Sequence, residues 1–196
     1  MQYPLTLKFK FFALAPQLFV TDNTGSLVFY VKQKLFKLRE QITVCADEAQ
    51  TQPLYNINAD RIIDFSARYH FRDRTGRELG SVKRRGMKSI WKAHYEIATG
   101  QADTLALEIH EQNPWVKIMD ALFAEIPIIG LFTGYVFNPT YLVTRPNGNV
   151  VMQFSKVPAF LSRIFTIKQV DQMTEDEQQL AVLSLLMMIL LERNRG

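Results

Sequence analysis

The chain has one cysteine, Cys45, among 196 residues. No intramolecular disulfide framework can form, and a lone thiol fits a reducing, cytoplasmic setting. No apolar run reaches the roughly 20 residues that a membrane-spanning helix needs. There is no G-x-S-x-G elbow, no P-loop and no G-x-G-x-x-G turn. There are three histidines, His70, His94 and His110, and none neighbours a serine or cysteine in a nucleophile motif. No spacing of Cys, His, Asp and Glu matches a metal site, and no EF-hand loop is present. No cofactor and no metal are therefore expected, and the enzyme classes that carry these signatures are disfavoured. Near the N-terminus only FFALA separates Lys10 from Pro16, too short for the core of a secretory signal.

What is present is ordinary for a globular chain, with 47% hydrophobic and 21% charged residues. The length suits one domain spanning residues 1–196. A hairpin unit recurs: FVTDNTGSLVFYVK from Phe19, FRDRTGRELGSVK from Phe71 and LVTRPNGNVVMQFSK from Leu142. In each, a turn ends in glycine at the place where a positive φ is needed, and aspartate at the first turn position of the first two caps its own backbone. A looser copy spans Ile42–Arg61, with its turn near Glu48–Gln52. Alternation of period two marks further strands, with Leu5, Leu7, Phe9 and Phe11, with Phe65, Ala67, Tyr69 and Phe71, and with Trp91, Ala93, Tyr95 and Ile97 on buried faces. Another runs through Leu105, Leu107 and Ile109, and a last one lies at Ile164–Val170. The total, about eleven to thirteen short strands, predicts a closed antiparallel sheet.

Two helices are predicted. Asn113 caps and Pro114 opens an amphipathic helix over 114–126, with Trp115, Ile118, Met119, Leu122, Phe123 and Ile126 at helical spacing before Pro127. The apolar stretch IIGLFTGYVF follows it. Near the C-terminus, LAVLSLLMMILL (Leu180–Leu191) is polar only at Ser184. At about 1.5 Å per residue it spans about 18 Å, short of a bilayer core of about 30 Å. Thr174 and Glu177 form a capping box in front of it. A helix apolar on every side must be surrounded. The expected architecture is thus a mainly β fold, a barrel of about twelve antiparallel strands enclosing this helix.

Charge is unevenly spread. From Arg61 to Lys92 ten basic residues face three acids, an excess of seven in a chain whose net charge is +4. Arg68, Arg72, Lys83, Arg84, Arg85, Lys88 and Lys92 are the candidate contacts for an anion or lipid headgroup, since basic residues near an anionic surface contribute about 1 kcal/mol each. The competing reading is a solvated outer face, where Lys and Arg also guard against strand-to-strand aggregation. No RNA-binding motif favours nucleic acid. His70 and His94 both fall on outward faces and could meet on one sheet surface. Cys45, in ITVC, reads as a buried structural thiol.

The D-x-x-G hairpins followed by cation-ending strands (Asp22–Lys34, Asp73–Arg85), together with the apolar helix Leu180–Leu191, resemble the tubby C-terminal-like superfamily. This group includes the tubby proteins, the phospholipid scramblases and the compact LURP-one-related proteins, whose size is similar to this chain. The resemblance implies a C-terminal helix inside the barrel. It implies lipid-related or membrane-associated roles in some relatives and no enzymatic activity in most. Calcium, linked with scramblases near this helix, is not supported here, because Asp171, Glu175, Asp176 and Glu177 suit a helix N-terminus. No tubby phosphoinositide ligands can be carried over. The expected function is a non-enzymatic module, peripheral at a membrane, binding anionic phospholipid or a protein partner. A small-ligand protein or enzyme with a pocket at the barrel mouth, and a structural adaptor, are the alternatives.

Overall fold

The computed structural model describes residues 1–10, 17–32, 41–61, 67–85, 94–100, 103–112, 140–157 and 164–193. The amphipathic helix expected over 114–126 and the IIGLFTGYVF stretch lie outside the described residues. Twelve strands form a closed barrel: β1 (Leu5–Lys10), β2 (Gln17–Thr21), β3 (Leu27–Lys32), β4 (Ile42–Cys45), β5 (Pro53–Ala59), β6 (Arg68–Asp73), β7 (Glu78–Arg84), β8 (His94–Thr99), β9 (Thr104–Glu111), β10 (Thr140–Thr144), β11 (Val150–Val157) and β12 (Ile164–Gln169). Each strand pairs antiparallel with its sequence neighbours, and β1 closes the ring on β12, with Leu5 opposite Ile167 and Leu7 opposite Phe165. Closure leaves no open edge.

The up-and-down order sends alternate connections to opposite ends. The tight turns at 22–26, 46–52, 74–77 and 145–149 share one end with the segment 170–174. The expected turn chemistry holds there. The Asp22 carboxylate accepts hydrogen bonds from the Thr24 N–H, the Thr24 hydroxyl and the Ser26 N–H at 2.9, 2.6 and 3.0 Å. Asp73 does the same with Thr75 and Arg77 at 2.8, 2.6 and 3.1 Å. Gly25 and Gly76 follow at φ +83° and +87°, which only glycine adopts freely, and a register shift beside each turn marks the bulge.

One helix, α1 (Glu175–Arg193), is described. Every residue from Leu180 to Leu190 is at most 6% exposed. These residues share one core with the inward side chains of the strands, among them Leu7, Val20, Phe71, Tyr95, Leu107 and Phe154. The helix therefore occupies the barrel interior, and the wall supplies the apolar surroundings that its sequence demands. Inward positions are predominantly apolar and outward ones predominantly polar, the reverse of the pattern of a membrane-spanning barrel. No described helix is long and apolar enough to cross a membrane.

Two devices seat the helix. Gly80 on β7 is one: a Cβ there would lie 2.2 Å from the Ala98 carbonyl oxygen and 2.9 Å from Leu180 Cδ1. The other is a polar clasp at the helix start. The capping box is reciprocal, with the Glu177 N–H donating to Thr174 Oγ1 at 3.2 Å and the Thr174 N–H donating to Glu177 Oε2 at 3.0 Å. In the third hairpin turn arginine stands where the first two have aspartate. Arg145 bonds Glu177 at 3.2 Å, Asp171 at 3.3 Å and the Gln172 carbonyl at 2.8 Å, and Asn149 bonds Asp171 at 2.6 Å. The Arg145 contact, foremost, lowers the Glu177 carboxyl below its ordinary value. The Gln172 N–H, then Asn149, lower Asp171.

Substitutions test both this packing and this clasp. Leu183→Ala should cost about 2–5 kcal/mol in urea unfolding, the usual range for a buried leucine. Gly80→Ala should also destabilise, because backbone on β8 blocks the new methyl. Leu186→Asp should give no folded barrel by circular dichroism. As for pH, carboxyls lowered on folding stabilise fully above their unfolded values near pH 4, and that stabilisation is lost as pH falls through the folded values. Arg145→Ala should therefore be less stable than the native chain at pH 7, with the gap narrowing as pH is lowered towards 2.

Candidate functional site

The expected basic site lies on β6 and β7 and the residues after them. Alternation turns Arg68 and Arg72 of β6 outward, between buried Tyr69 and Phe71. On β7 buried Val82 and Arg84 face in, so Lys83 faces out, and Arg85 just beyond the strand is exposed. Arg84 departs from the expected surface site. It is 8% exposed and its guanidinium lies 6.0 Å from the Tyr95 ring centroid, in the interior. Opposite charge shares that lumen in Glu111, 6% exposed at the same end of the barrel. Lys88 and Lys92 lie outside the described residues.

The outward cations do not stand alone, because strands later in the sequence bring carboxylates beside them. Arg68 pairs with Asp103 and donates to Ser81 Oγ at 3.2 Å. Arg72 lies 3.8 Å from Glu78. Arg85 reaches Glu96 at 3.4 Å and Glu108 at 3.9 Å. In the adjoining turn Arg77 pairs with Asp73 at 3.0 Å, and hydrogen bonds, first from the Thr75 hydroxyl, lower the Asp73 carboxyl to about 2. The sequence excess of seven positive charges is thus partly offset in space by Glu96, Asp103 and Glu108. These pairs are partly exposed, so each contributes at most about 1 kcal/mol and yields to an external phosphate at little cost.

Histidine placement also differs from the expectation. His70 and His94 do not meet, since β7 runs between their strands. His70 Nδ1 instead contacts Glu78 Oε1 at 2.6 Å. His94 sits opposite His110 in the β8–β9 register and 3.6 Å from Glu108. Burial, foremost, and the neighbouring His94 lower His110, while Glu108 opposes them. No group of three or more His, Cys, Asp or Glu among the described residues could hold a metal ion. Cys45 is buried, and burial foremost raises its thiol, so little thiolate forms. A groove of about 140 Å³ is lined by Arg68, Glu96, Ala98, Asp103 and Leu105. Small-molecule sites run to about 300 Å³ or more.

The ionic wall β6–β9 and the hairpins before it fall within one recognisable stretch. Residues 27–122 match the LURP-one-related family. The LURP-one-related match begins at the first residue of β3 and takes in the whole of β3–β9. No curated protein matches the chain. A solved protein of Arabidopsis thaliana is similar over 98% of this chain and 92% of its own, at 16% identity and a TM-score of 0.49. A likeness that loose carries no argument.

The histidine pair on the β8–β9 wall has a measurable signature. Followed by NMR, the His110 ring should titrate below 6.5. His94→Gln should move its midpoint up, and Glu108→Gln should move it further down.

Proposed function

We propose that this chain is a non-enzymatic β-barrel module that docks peripherally on anionic phospholipid surfaces. The observation that carries this reading is the set of outward cations Arg68, Arg72, Lys83 and Arg85, held on a rigid, closed wall. Lys88 and Lys92 follow them in the sequence. The partners of the three arginines are partly exposed carboxylates bound by weak pairs, which lipid phosphates can replace. The family resemblance, with its lipid-related relatives, agrees. A buried, unreactive Cys45 suits the cytoplasmic face of a membrane. A protein partner at the membrane would use the same face. A catalytic or small-ligand reading finds less support, since the described groove is small and no metal-binding group accompanies it among the described residues.

Sedimentation with vesicles tests this. The chain should pellet with phosphatidylserine-containing vesicles, not with pure phosphatidylcholine, and less at high salt. Neutralising the carboxylates beside the cations, with Glu96→Gln and Asp103→Asn, should strengthen binding several-fold. Equal partition onto neutral and anionic vesicles, or none onto either, would sink the lipid reading.

A further inference from the structure

The barrel sorts its charges by strand. Among the described strands every carboxylate, Asp73, Glu78, Glu96, Glu108 and Glu111, lies in β6–β9. All three histidines and all strand arginines lie there too. The other eight strands, contiguous around the ring from β10 through β12 and β1 to β5, carry no acid. Their only charges are lysines. Four of these, Lys8, Lys10, Lys32 and Lys168, are exposed and alternate with buried residues, so they stand on the outer wall of β12, β1 and β3. Lys156, the fifth, shares the inward register of Phe154 and sits half-buried near the rim.

Strand order gathers three of these lysines. Lys10 pairs in register with Gln17, and Gln17 with Lys32, so the two lysines share one cross-strand row about 10 Å apart. Lys8 is two residues back along β1. These separations are comparable to the Debye length, about 8–10 Å at physiological salt, so the three potentials add. Lys168 extends the same wall toward the hairpin end on β12, where Ile167 pairs with Leu5. Among the described residues none of the four is in an ion pair. The flanking acids Asp22 and Asp171 sit in turns at the hairpin end. Asp22 is held by Thr24 and Ser26, and Asp171 by Asn149 and Arg145.

We propose that this acid-free lysine wall is the principal docking face for an anionic bilayer. The proposal rests on the lipid reading above and deepens it by moving the main contact away from the ionic wall. Charge complementarity selects the occupant. Hydrated point charges spread over a broad wall suit a diffuse anionic surface, whereas bidentate phosphate recognition uses arginine, and none is present on these eight strands. Single-stranded nucleic acid would need open aromatic platforms. Here Phe19 lies edge-on to Tyr30 at 5.1 Å, and Tyr30 is 2% exposed.

The test compares two variants of the full chain, each with one set of cations neutralised, on phosphatidylserine vesicles at low salt. One replaces Lys8, Lys10, Lys32 and Lys168 with Gln; the other replaces Arg72, Lys83 and Arg85 with Gln. Circular dichroism and thermal melting check both folds. The lysine variant should lose up to roughly a thousandfold in partition, the ionic-wall variant should lose less, and Lys→Arg at the same four positions should restore binding. On the native chain, amine labelling of the four lysines should fall when anionic vesicles are added, a readout that needs no variant. If the native chain binds while the lysine variant binds equally and labelling is unchanged, the wall is excluded and the lipid reading stands. Native chain that ignores anionic vesicles overturns both. If the lysine variant loses a single-stranded oligonucleotide but keeps vesicles, the wall belongs to nucleic acid and the proposal fails.

Discussion

The helix Glu175–Arg193 has no side to show water between Leu180 and Leu190, and the rest of the fold answers that constraint. Each buried Leu, Ile, Val or Met contributes about 1.5–3 kcal/mol when fully removed from solvent. An open sheet could cover only one flank of such a helix. A closed barrel covers all of it and also removes the sheet's own edges. Closure in turn requires β1 to meet β12, so the first and last strands of the sequence become neighbours. The seating is specified at the hairpin end. Gly80 lets the wall approach Leu180, and the Arg145 clasp fixes where the helix begins.

Much of this was legible because its signals are local. The D-x-T-G turns at Asp22 and Asp73 carry their own mechanism, and the period-two strands around Leu7, Phe71 and Ile97 name their buried faces. The Thr174–Glu177 box needs only four consecutive residues. Arg145 was not legible as a clasp, because its partners Asp171 and Glu177 lie 26 and 32 residues away. What marked it was a departure from the repeat: the third turn spends no aspartate on its own backbone, and the residue there is free to reach elsewhere.

Charge was the least legible property, for a reason that barrel topology makes plain. Counting along the chain places an excess of cations between Arg61 and Lys92. An antiparallel ring sets each strand beside its neighbours, and the acids of β8 and β9 land next to the bases of β6 and β7. Arg68 meets Asp103, and Arg85 meets Glu96 and Glu108. Arg84 follows the same logic inward: its register, set by buried Val82, overrides its charge.

The complementary effect is that a weak signal in sequence becomes a strong one in space. Lys8 and Lys10, Lys32, and Lys168 come from three separate strands, and no window along the chain gathers them. The β1–β3 meander sets Lys8, Lys10 and Lys32 side by side, closure adds Lys168 to the same wall nearer the hairpin end, and the absence of Asp and Glu from eight contiguous strands leaves their field unopposed. The LURP-one-related match covers β3–β9 but contains only Lys32 of the four. The matched stretch thus supplies the neutralised side of the barrel, and the strands outside it supply nearly all of the unopposed one. A net charge of +4 understates what a flat anionic surface meets on approach, because attraction over a Debye length depends on the local face and not on the chain total.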